Sequence, residues 1–379
     1  MNLSAYLANN MIELSPHLSM NNANSDKRSA LRGALIAFYS TTEAWDYSPP
    51  LLQKGWSDDN KEIVRQSERT SNSFMMHYYV SIVLCHLFIE HLLTGILFEI
   101  HPSFLYRKTK RKEVFDPIRF AHEPSEYKNH HTIDYNQKIK RVIYLIQQAD
   151  KLPVDLRIPV KYHFLINHET AMVDLGFVRN ETIHLGKRNL SPYFYEVLWV
   201  NSLIPLVQDY LDCDKVNNVW LKRKVFCGID IIGKIVDLKL NEDISDLVQM
   251  DITNRRLIEL YHIKELGRTS YNNWICLDLE DYSPEVIGNI YETQINPSRR
   301  YGEEIAKNLL KKRDYHQAHH CPCCGSKALV SYEIWTETIT QRRHVNSAMC
   351  TLCTYAVKSA LGDPFEFEIV DSPILVYLD

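Results

Sequence analysis

The stretch SIVLCHLFIEHLLTGILFEIHP, residues 81–102, carries the strongest structural pattern in the chain. Its apolar residues recur every three to four positions, which places them on one wide face of an α-helix, and the same pattern begins near Ser71. Proline cannot continue a helix, so Pro102 marks its end. The sequence therefore predicts a long helix within residues 71–108 that is buried at the centre of a helical bundle.

Further helical patterns precede and follow this helix. Thr132 or Asp134 can cap a helix whose apolar positions run from Ile139 to Ile146. The other predicted helices cover residues 27–45, 160–173, 175–184, 193–211, 252–266 and 299–313. After Cys321 the pattern changes, because β-branched and aromatic residues predict strands at 328–335, 355–357, 365–370 and 374–377.

These patterns predict a mainly α protein with several domains, since 379 residues exceed the usual size of a single core. We expect a helical extension over residues 1–66, a helical bundle over 67–215 and a mixed helical linker domain over 216–316. Within the linker domain, residues 225–240 fit either a strand or a helix. A small β-rich module follows over residues 317–379.

The composition is that of a globular protein, with 45% hydrophobic and 24% charged residues. The formal net charge of -4 excludes a global basic field, so any nucleic-acid site must be a local patch. Residues 1–10 lack the basic and apolar regions of a secretory signal, and the longest apolar stretch contains Glu90 and Glu99. We therefore predict a cytoplasmic protein without a membrane partner. The chain has no glycine-rich phosphate loop, serine nucleophile elbow, zinc-protease helix or kinase motif.

Two Cys-x-x-Cys pairs lie in the predicted β-rich module. Cys321 and Cys324 form the first pair, and Cys350 and Cys353 form the second, with residues 325–349 between them. Four thiolates suit tetrahedral Zn²⁺, and a β-hairpin can fill the interval. The pattern resembles a zinc ribbon, in which the metal is structural because no position is open for water. The second pair is followed by Thr354 instead of the usual glycine, and four neighbours could replace a ligand: Cys323, His319, His320 and His344.

A second polar group lies in the predicted bundle, where Arg179 and Asn180 are followed by His184. Asn180 and His184 are four residues apart and share a helix face, so the three side chains can converge on one phosphate. Spacing alone is a weak signal, because residues 157–163, 256–262 and 313–319 also place an arginine before a histidine. Two interpretations stay open: a catalytic group, or a surface arginine beside a histidine that is satisfied in the core.

The context of this motif distinguishes it from the other three. Residues 81–102, with the acidic Glu90, resemble the opening helix of HEPN domains, and residues 132–143 resemble the second helix of that family. The motif Arg179-Asn180-x3-His184 lies where the family places its own. The resemblance covers roughly residues 70–212, so the predicted bundle is HEPN-like.

The resemblance implies a metal-independent endoribonuclease that acts in antiviral defence by abortive infection, or as a toxin. It implies RNA as the substrate, a homodimer or higher homo-oligomer, and an antitoxin or phage-derived trigger as a further partner. By motif position, His184 is the general acid or base on the ribose 2′-hydroxyl or the leaving oxygen. Arg179 stabilises the charge on the phosphorane, and Asn180 orients the pair. Histidine titrates near neutrality and a guanidinium matches phosphate oxygens, in keeping with these roles, and the product ends in a 2′,3′-cyclic phosphate.

A basic run follows the long helix and is the best candidate for an RNA contact, because it can neutralise several phosphates. Its basic residues are Arg107, Lys108, Lys110, Arg111 and Lys112. Glu90 either pairs with Arg179 inside the bundle or lies on a solvated helix face. The main alternative to a nuclease is a non-catalytic HEPN-type module that binds RNA, nucleotide or protein. A DNA-binding regulator has less support, because no recognition helix is evident.

Overall fold

The computed structural model describes the chain in segments that include most of the predicted helices and both cysteine pairs. The described residues are 20–44, 61–106, 115–122, 132–185, 192–213, 228–241, 247–273, 289, 291–312, 315–336, 343–358, 361, 363–371 and 373–375. Within them the protein is mainly helical, with one four-stranded antiparallel sheet formed by residues 315–358. The basic run at residues 107–112 lies outside the described residues.

The helices are numbered here in chain order. They are α1 (Met20–Ser40), α2 (Lys61–Ile100), α3 (Pro117–His122), α4 (Tyr135–Gln147), α5 (Glu169–Asn180), α6 (Pro192–Leu198), α7 (Ile204–Cys213), α8 (Ile231–Leu238), α9 (Leu247–Asn272) and α10 (Asn296–Leu309). 3₁₀ segments connect several of them, the longest being Val160–His168 within the helix predicted at 160–173. π-Helical turns lie at Glu181–Leu185, Trp199–Leu203 and Tyr291–Ile295. Of the residues that fit either strand or helix, 231–238 form α8.

The predicted central helix is confirmed as α2, although it begins at Lys61, earlier than the pattern indicated. It packs against α1, α4 and α5, and the apolar residues of its Phe74–Leu97 face form the middle of the core. The predicted boundary between residues 66 and 67 falls inside this helix. After Ile100 the chain turns through Pro102–Leu105, where the His101 side chain accepts a hydrogen bond from the Ser103 amide at 3.3 Å. Of the two predicted caps of α4, Asp134 is the one that accepts the Gln137 amide, at 2.9 Å.

The same helix is the one described element that is long and apolar enough to cross a membrane. Residues Ser73–Ile100 meet that test by length and composition alone. In the most apolar window of this helix, 61% is buried inside the protein. The core helix of a soluble protein meets the same test, so cytoplasmic localisation stays a prediction.

A fully buried ion pair joins α9 to α6. The Nζ of Lys264 lies 2.9 Å from the Glu196 carboxylate, donates to the Tyr78 hydroxyl at 3.2 Å and stands 4.4 Å from the ring centroid of Phe38. Both charged side chains have no exposed surface. A buried charge is tolerated only when an opposite charge lies beside it, so Lys264 and Glu196 must stay in contact. This contact holds α9 against α6 of the bundle.

We expect Lys264→Met to lower the free energy of unfolding by about 3–5 kcal/mol, because it leaves the Glu196 carboxylate buried without a counter-charge. The double variant Lys264→Met/Glu196→Leu should recover most of this loss, since no buried charge then remains. Urea denaturation followed by circular dichroism measures both effects. As a control, Lys307→Met on the exposed surface of α10 should change stability by less than about 0.5 kcal/mol. Equal losses in the single and double variants would contradict the expectation.

The sheet contains β1 (Tyr315–His319), β2 (Leu329–Thr336), β3 (Arg343–Cys350) and β4 (Ala356–Lys358), in that order. The β2–β3 hairpin fills the interval between the cysteine pairs as expected, with Leu329 opposite Cys350. The strand predicted at 365–370 is wrong: Pro364–Phe367 is a 3₁₀ turn capped by Asp363, and Glu368 has a left-handed backbone. A proline cannot donate in a sheet ladder, and the carboxylate cap favours a turn over an extended chain. Of the strand predicted at 374–377, residues 374 and 375 are not in a strand, and the rest lies outside the described segments.

Candidate functional site

Four buried cysteines converge in the sheet region. The Sγ atoms of Cys321, Cys324, Cys350 and Cys353 all lie within 4.8 Å of one another. Two of the separations are 3.5 Å, between Cys321 and Cys353, and 3.7 Å, between Cys324 and Cys350. A tetrahedral zinc ion with Zn–S bonds of about 2.3 Å requires sulfur atoms roughly 3.8 Å apart. This group, called the four-cysteine cluster below, could therefore hold a metal such as zinc. Hydrogen bonds from the three other thiols lower the pKa of Cys324, whereas burial raises the pKa of Cys321.

The two cysteine turns have the same backbone geometry. In the first turn, the Gly325 amide donates to the Cys321 carbonyl at 2.8 Å, and the Cys321 amide donates to the Ser326 carbonyl at 2.9 Å. In the second turn, the corresponding bonds run from Thr354 to Cys350 at 3.1 Å and from Cys350 to Tyr355 at 2.8 Å. Gly325 and Thr354 both have left-handed backbones, with φ of 72° and 66°. Thr354 thus adopts the conformation that normally favours glycine, which a β-branched residue does only when its surroundings enforce it.

The residues that could replace a cysteine ligand do not join the four-cysteine cluster, where their side chains are described. Cys323 is buried, but its Sγ lies 3.8 Å from the Leu266 carbonyl of α9. The His320 ring nitrogen Nδ1 lies 3.3 Å from the Gly325 carbonyl, and His319 is not in the cluster. The side chain of His344 lies outside the described part of the chain. The four cysteines of the two pairs are therefore the set that the fold brings together.

Polar contacts attach the second cysteine turn to α9. Asn273, which follows α9, donates to the Cys353 carbonyl at 2.8 Å, and Arg268 donates to the Thr354 carbonyl at 3.2 Å. The Ala356 amide donates to the Glu265 carboxylate at 3.2 Å. Since Lys264 on the same helix is buried in the bundle, the four-cysteine cluster and the helical core share α9.

The predicted catalytic motif lies at a change of helix type. α5 ends at Asn180, and the π-helical turn Glu181–Leu185 follows and contains His184. Arg179 is half-buried and donates to the exposed Asn180 Oδ1 at 3.0 Å. Turns of this type inside helices are frequent at functional sites. The side chain of His184 lies outside what the structure describes.

In two of the competing arginine-to-histidine segments, the histidine ring contacts a backbone carbonyl of the protein itself. In the segment 157–163, Arg157 donates to the Leu152 carbonyl at 2.8 Å, and the His163 ring faces the Ile158 carbonyl at 3.3 Å. In the segment 256–262, His262 is fully buried with Nε2 3.2 Å from the Leu361 carbonyl, and burial lowers its pKa to about 4. In the third segment, Arg313 lies outside the described residues. The first two segments are therefore explained without any ligand.

A group of polar side chains from α2 and α4 lies near the motif. The Lys138 Nζ is 2.8 Å from the Glu90 carboxylate, whose other oxygen is 3.9 Å from Nδ1 of His86. The Tyr135 ring lies over His86, with 4.1 Å between ring centroids. Among the described residues, no ion pair joins Glu90 to Arg179; the half-buried Glu90 pairs with Lys138 instead.

The pKa of His86 depends on burial and on the charges around it. Burial lowers the pKa of His86 to about 4; Glu90 opposes this shift, whereas Arg179 and Lys138 add to it. The His86 ring is therefore neutral at pH 7. Burial disfavours the charged form of Glu90, yet the hydrogen bond and charge of Lys138 hold its pKa below the ordinary value. This group thus contains the anion Glu90, paired with the cation Lys138, and a neutral His86.

His86, Tyr135 and Lys138 were missed by the sequence reasoning. His86 lies four residues before Glu90 on the same helix, so its position was detectable. Lys138 gave no such signal, because it is separated from Glu90 by 48 residues. Comparison of the chain with family models, curated proteins and solved structures gave no match. Its chemistry must therefore be inferred from its own residues.

Proposed function

We propose that the protein is a metal-independent endoribonuclease of the HEPN type. The observation that supports this most is the Arg179–Asn180 pair at the end of α5, directly before the turn that contains His184. Arg179 is half-buried, Asn180 is exposed, and no carboxylate of the described residues lies within 4.0 Å of the Arg179 guanidinium. A guanidinium with this placement is available to phosphate oxygens.

In the proposed reaction the RNA supplies its own nucleophile. The ribose 2′-oxygen attacks the adjacent phosphorus while a base removes the proton of the hydroxyl group. The bond from phosphorus to the 5′-oxygen breaks, the leaving oxygen takes up a proton, and a 2′,3′-cyclic phosphate remains. His184 serves as the general acid or base, Arg179 stabilises the phosphorane charge, and Asn180 holds the guanidinium through its 3.0 Å hydrogen bond.

In this proposal the four-cysteine cluster binds Zn²⁺ and stabilises the fold. Four thiolates fill the tetrahedral coordination of the ion, so no position remains for a reacting water molecule. The bonds from Asn273 and Arg268 to the second cysteine turn connect this site to α9. The resemblance extends the proposal to a cytoplasmic homo-oligomeric effector of antiviral defence, or a toxin, that acts on RNA.

The test is cleavage of end-labelled RNA in EDTA, with the product termini identified by mass spectrometry. We expect cleavage that leaves a 2′,3′-cyclic phosphate. The matched substrate has a single 2′-deoxyribose at the mapped cleavage position, and it should stay intact there because the nucleophile is missing. Zinc content is measured after incubation, so that loss of the structural metal is not mistaken for a metal-dependent reaction. Cleavage of the deoxy-substituted site would contradict the proposal, and binding without cleavage would indicate a non-catalytic binding module.

A further inference from the structure

The spacing of the Arg179-Asn180-x3-His184 motif does not suit an ordinary α-helix. An α-helix has about 3.6 residues per turn, so positions five apart, such as 179 and 184, lie on faces that differ by about 140°. The hydrogen bonds of a π-helical turn join residues five apart, which brings such positions towards one face. The motif passes from α5 into the π-helical turn Glu181–Leu185. This turn therefore brings position 184 closer to the face of Arg179 than a continued α-helix would.

Thr182 lies in this turn, two residues before His184, and its hydroxyl makes a hydrogen bond within the helix. Its Oγ1 donates to the Val178 carbonyl at 2.7 Å. The Glu181 amide is shared between the carbonyls of Phe177 and Val178. In a continued α-helix the Val178 carbonyl accepts from the Thr182 amide, so the hydroxyl supplies a bond that an α-helical ladder does not need. A threonine hydroxyl bonded to the carbonyl four residues earlier often bends a helix.

The same bond recurs elsewhere in the chain. In the π-helical turn directly before α10, the Thr293 Oγ1 donates to the Asn289 carbonyl at 2.7 Å. Thr94 makes the same bond to the Glu90 carbonyl at 2.7 Å, but within the regular helix α2. The bond alone therefore does not create a π-helical turn, although two of the described turns of this type contain it. Thr94 lies in the interior of a helix, whereas Thr182 lies where α5 ends and the hydrogen-bond pattern changes.

We propose that Thr182 is a positioning residue for the RNA site: its hydroxyl, bonded to the Val178 carbonyl, holds the π-helical turn that brings position 184 towards the face of Arg179. The inference rests on the proposed nuclease function, since it explains how the two residues can act on one phosphate. Thr182 itself transfers no proton in this scheme. Without the hydroxyl, the turn should relax to an α-helix, in which positions 179 and 184 lie farther apart.

The first test uses no RNA and compares crystal structures of the wild type and Thr182→Val, since valine has the shape of threonine without the hydroxyl. In the variant the Cα atoms of residues 179 and 184 should separate to about 8.7 Å, the α-helical value for residues five apart, and in the wild type they should be closer. Thr182→Ser keeps the hydroxyl and should keep the turn. Thr94→Val, the matched control, removes the same bond from α2 and should leave residues 181–185 unchanged. A π-helical turn retained in Thr182→Val overturns the inference.

The second test separates positioning from binding by single-turnover kinetics. Thr182→Val should lower the rate of RNA cleavage by about 10–100-fold, because a shift of a catalytic group by roughly 1 Å has an effect of this size. RNA affinity should stay within about twofold of the wild type, since the Arg179–Asn180 pair lies before the turn and keeps its 3.0 Å hydrogen bond. Thr182→Ser and Thr94→Val should cleave at about the wild-type rate. Equal cleavage by Thr182→Val and Thr182→Ser would overturn the positioning role.

Folding is monitored by circular dichroism and by the melting temperature of each variant. A merely structural role of Thr182 would lower the melting temperature of Thr182→Val and reduce cleavage and binding together, and that result also overturns the inference. Should Thr182→Val fail to fold, Thr182→Ala takes its place with the same expected outcomes. Failure of the wild-type protein to bind or cleave RNA would contradict the proposed function. That result is distinct from the structure of Thr182→Val, which tests the effect of Thr182 on the turn alone.

Discussion

Replacing His184 with alanine is expected to lower the rate of RNA cleavage by about 10²–10⁴-fold, the usual contribution of a general acid or base. The variant loses the group that transfers protons at the 2′-oxygen or the 5′-oxygen. It keeps the Arg179–Asn180 pair, which is formed without His184. RNA binding should therefore change much less than cleavage. Single-turnover kinetics with labelled RNA measures the cleavage rate, and fluorescence anisotropy measures affinity.

The matched control is His122→Ala, because His122 is an exposed histidine on α3. It should cleave RNA at the wild-type rate. Arg179→Ala provides a second comparison, since loss of the guanidinium removes a phosphate contact and should weaken both binding and cleavage. If correctly folded His184→Ala cleaved RNA at the wild-type rate, His184 would be excluded from the chemistry. It would redirect attention to His86 and Lys138.

Replacing Cys324 with serine is expected to abolish metal binding by the four-cysteine cluster. Structural zinc contributes on the order of 10–16 kcal/mol in zinc-finger peptides, and loss of one thiolate ligand removes much of this free energy. We expect zinc in the purified variant to fall to about one tenth or less of the wild-type stoichiometry. Residues 315–358 should then become sensitive to proteolysis. Inductively coupled plasma mass spectrometry and limited proteolysis provide the two measurements.

The adjacent Cys323 is a suitable control because it is equally buried and differs by one position. Its Sγ faces the Leu266 carbonyl instead of the cluster. Cys323→Ser should therefore retain one zinc per chain and the wild-type proteolysis pattern. If both serine variants lost metal to the same extent, the ligand set would include Cys323. Iron in place of zinc would contradict the assigned metal, since tetrahedral sulfur sites also suit iron.

Proteolysis of Cys324→Ser also reports on the connection between the four-cysteine cluster and the bundle. Asn273 and Arg268 donate to carbonyl groups of the second cysteine turn, and Glu265 accepts from Ala356. These contacts depend on the shape of that turn. We therefore expect new cleavage near the end of α9 in the same variant. The protease should still not cut the peptide bonds in the middle of α2, because that helix is buried by other elements.

Several features were predictable because they depend on short-range patterns. The long helix α2, the Asp134 cap and the strand β2 follow from the spacing of apolar residues and from one carboxylate placed before a helix. The four-cysteine cluster was predictable because the two pairs carry their own turn geometry. The strand expected at 365–370 failed because the pattern of alternating residues was outweighed by Pro364 and its Asp363 cap.

Local sequence patterns are enough to predict which helix faces are buried and where the two Cys-x-x-Cys turns lie, because periodicity and short turns decide both. Only the tertiary structure showed that the Cys323 thiol faces the Leu266 carbonyl instead of the cluster. Which charges meet depends instead on how the whole chain packs. Lys138 pairs with Glu90 across 48 residues, and Lys264 pairs with Glu196 across 68 residues. Charged side chains carry no periodic signal of their partner, and Coulomb attraction acts on whichever groups the packing of apolar faces brings within a few ångströms. For that reason Glu90 could be singled out from the sequence, whereas its partner could not.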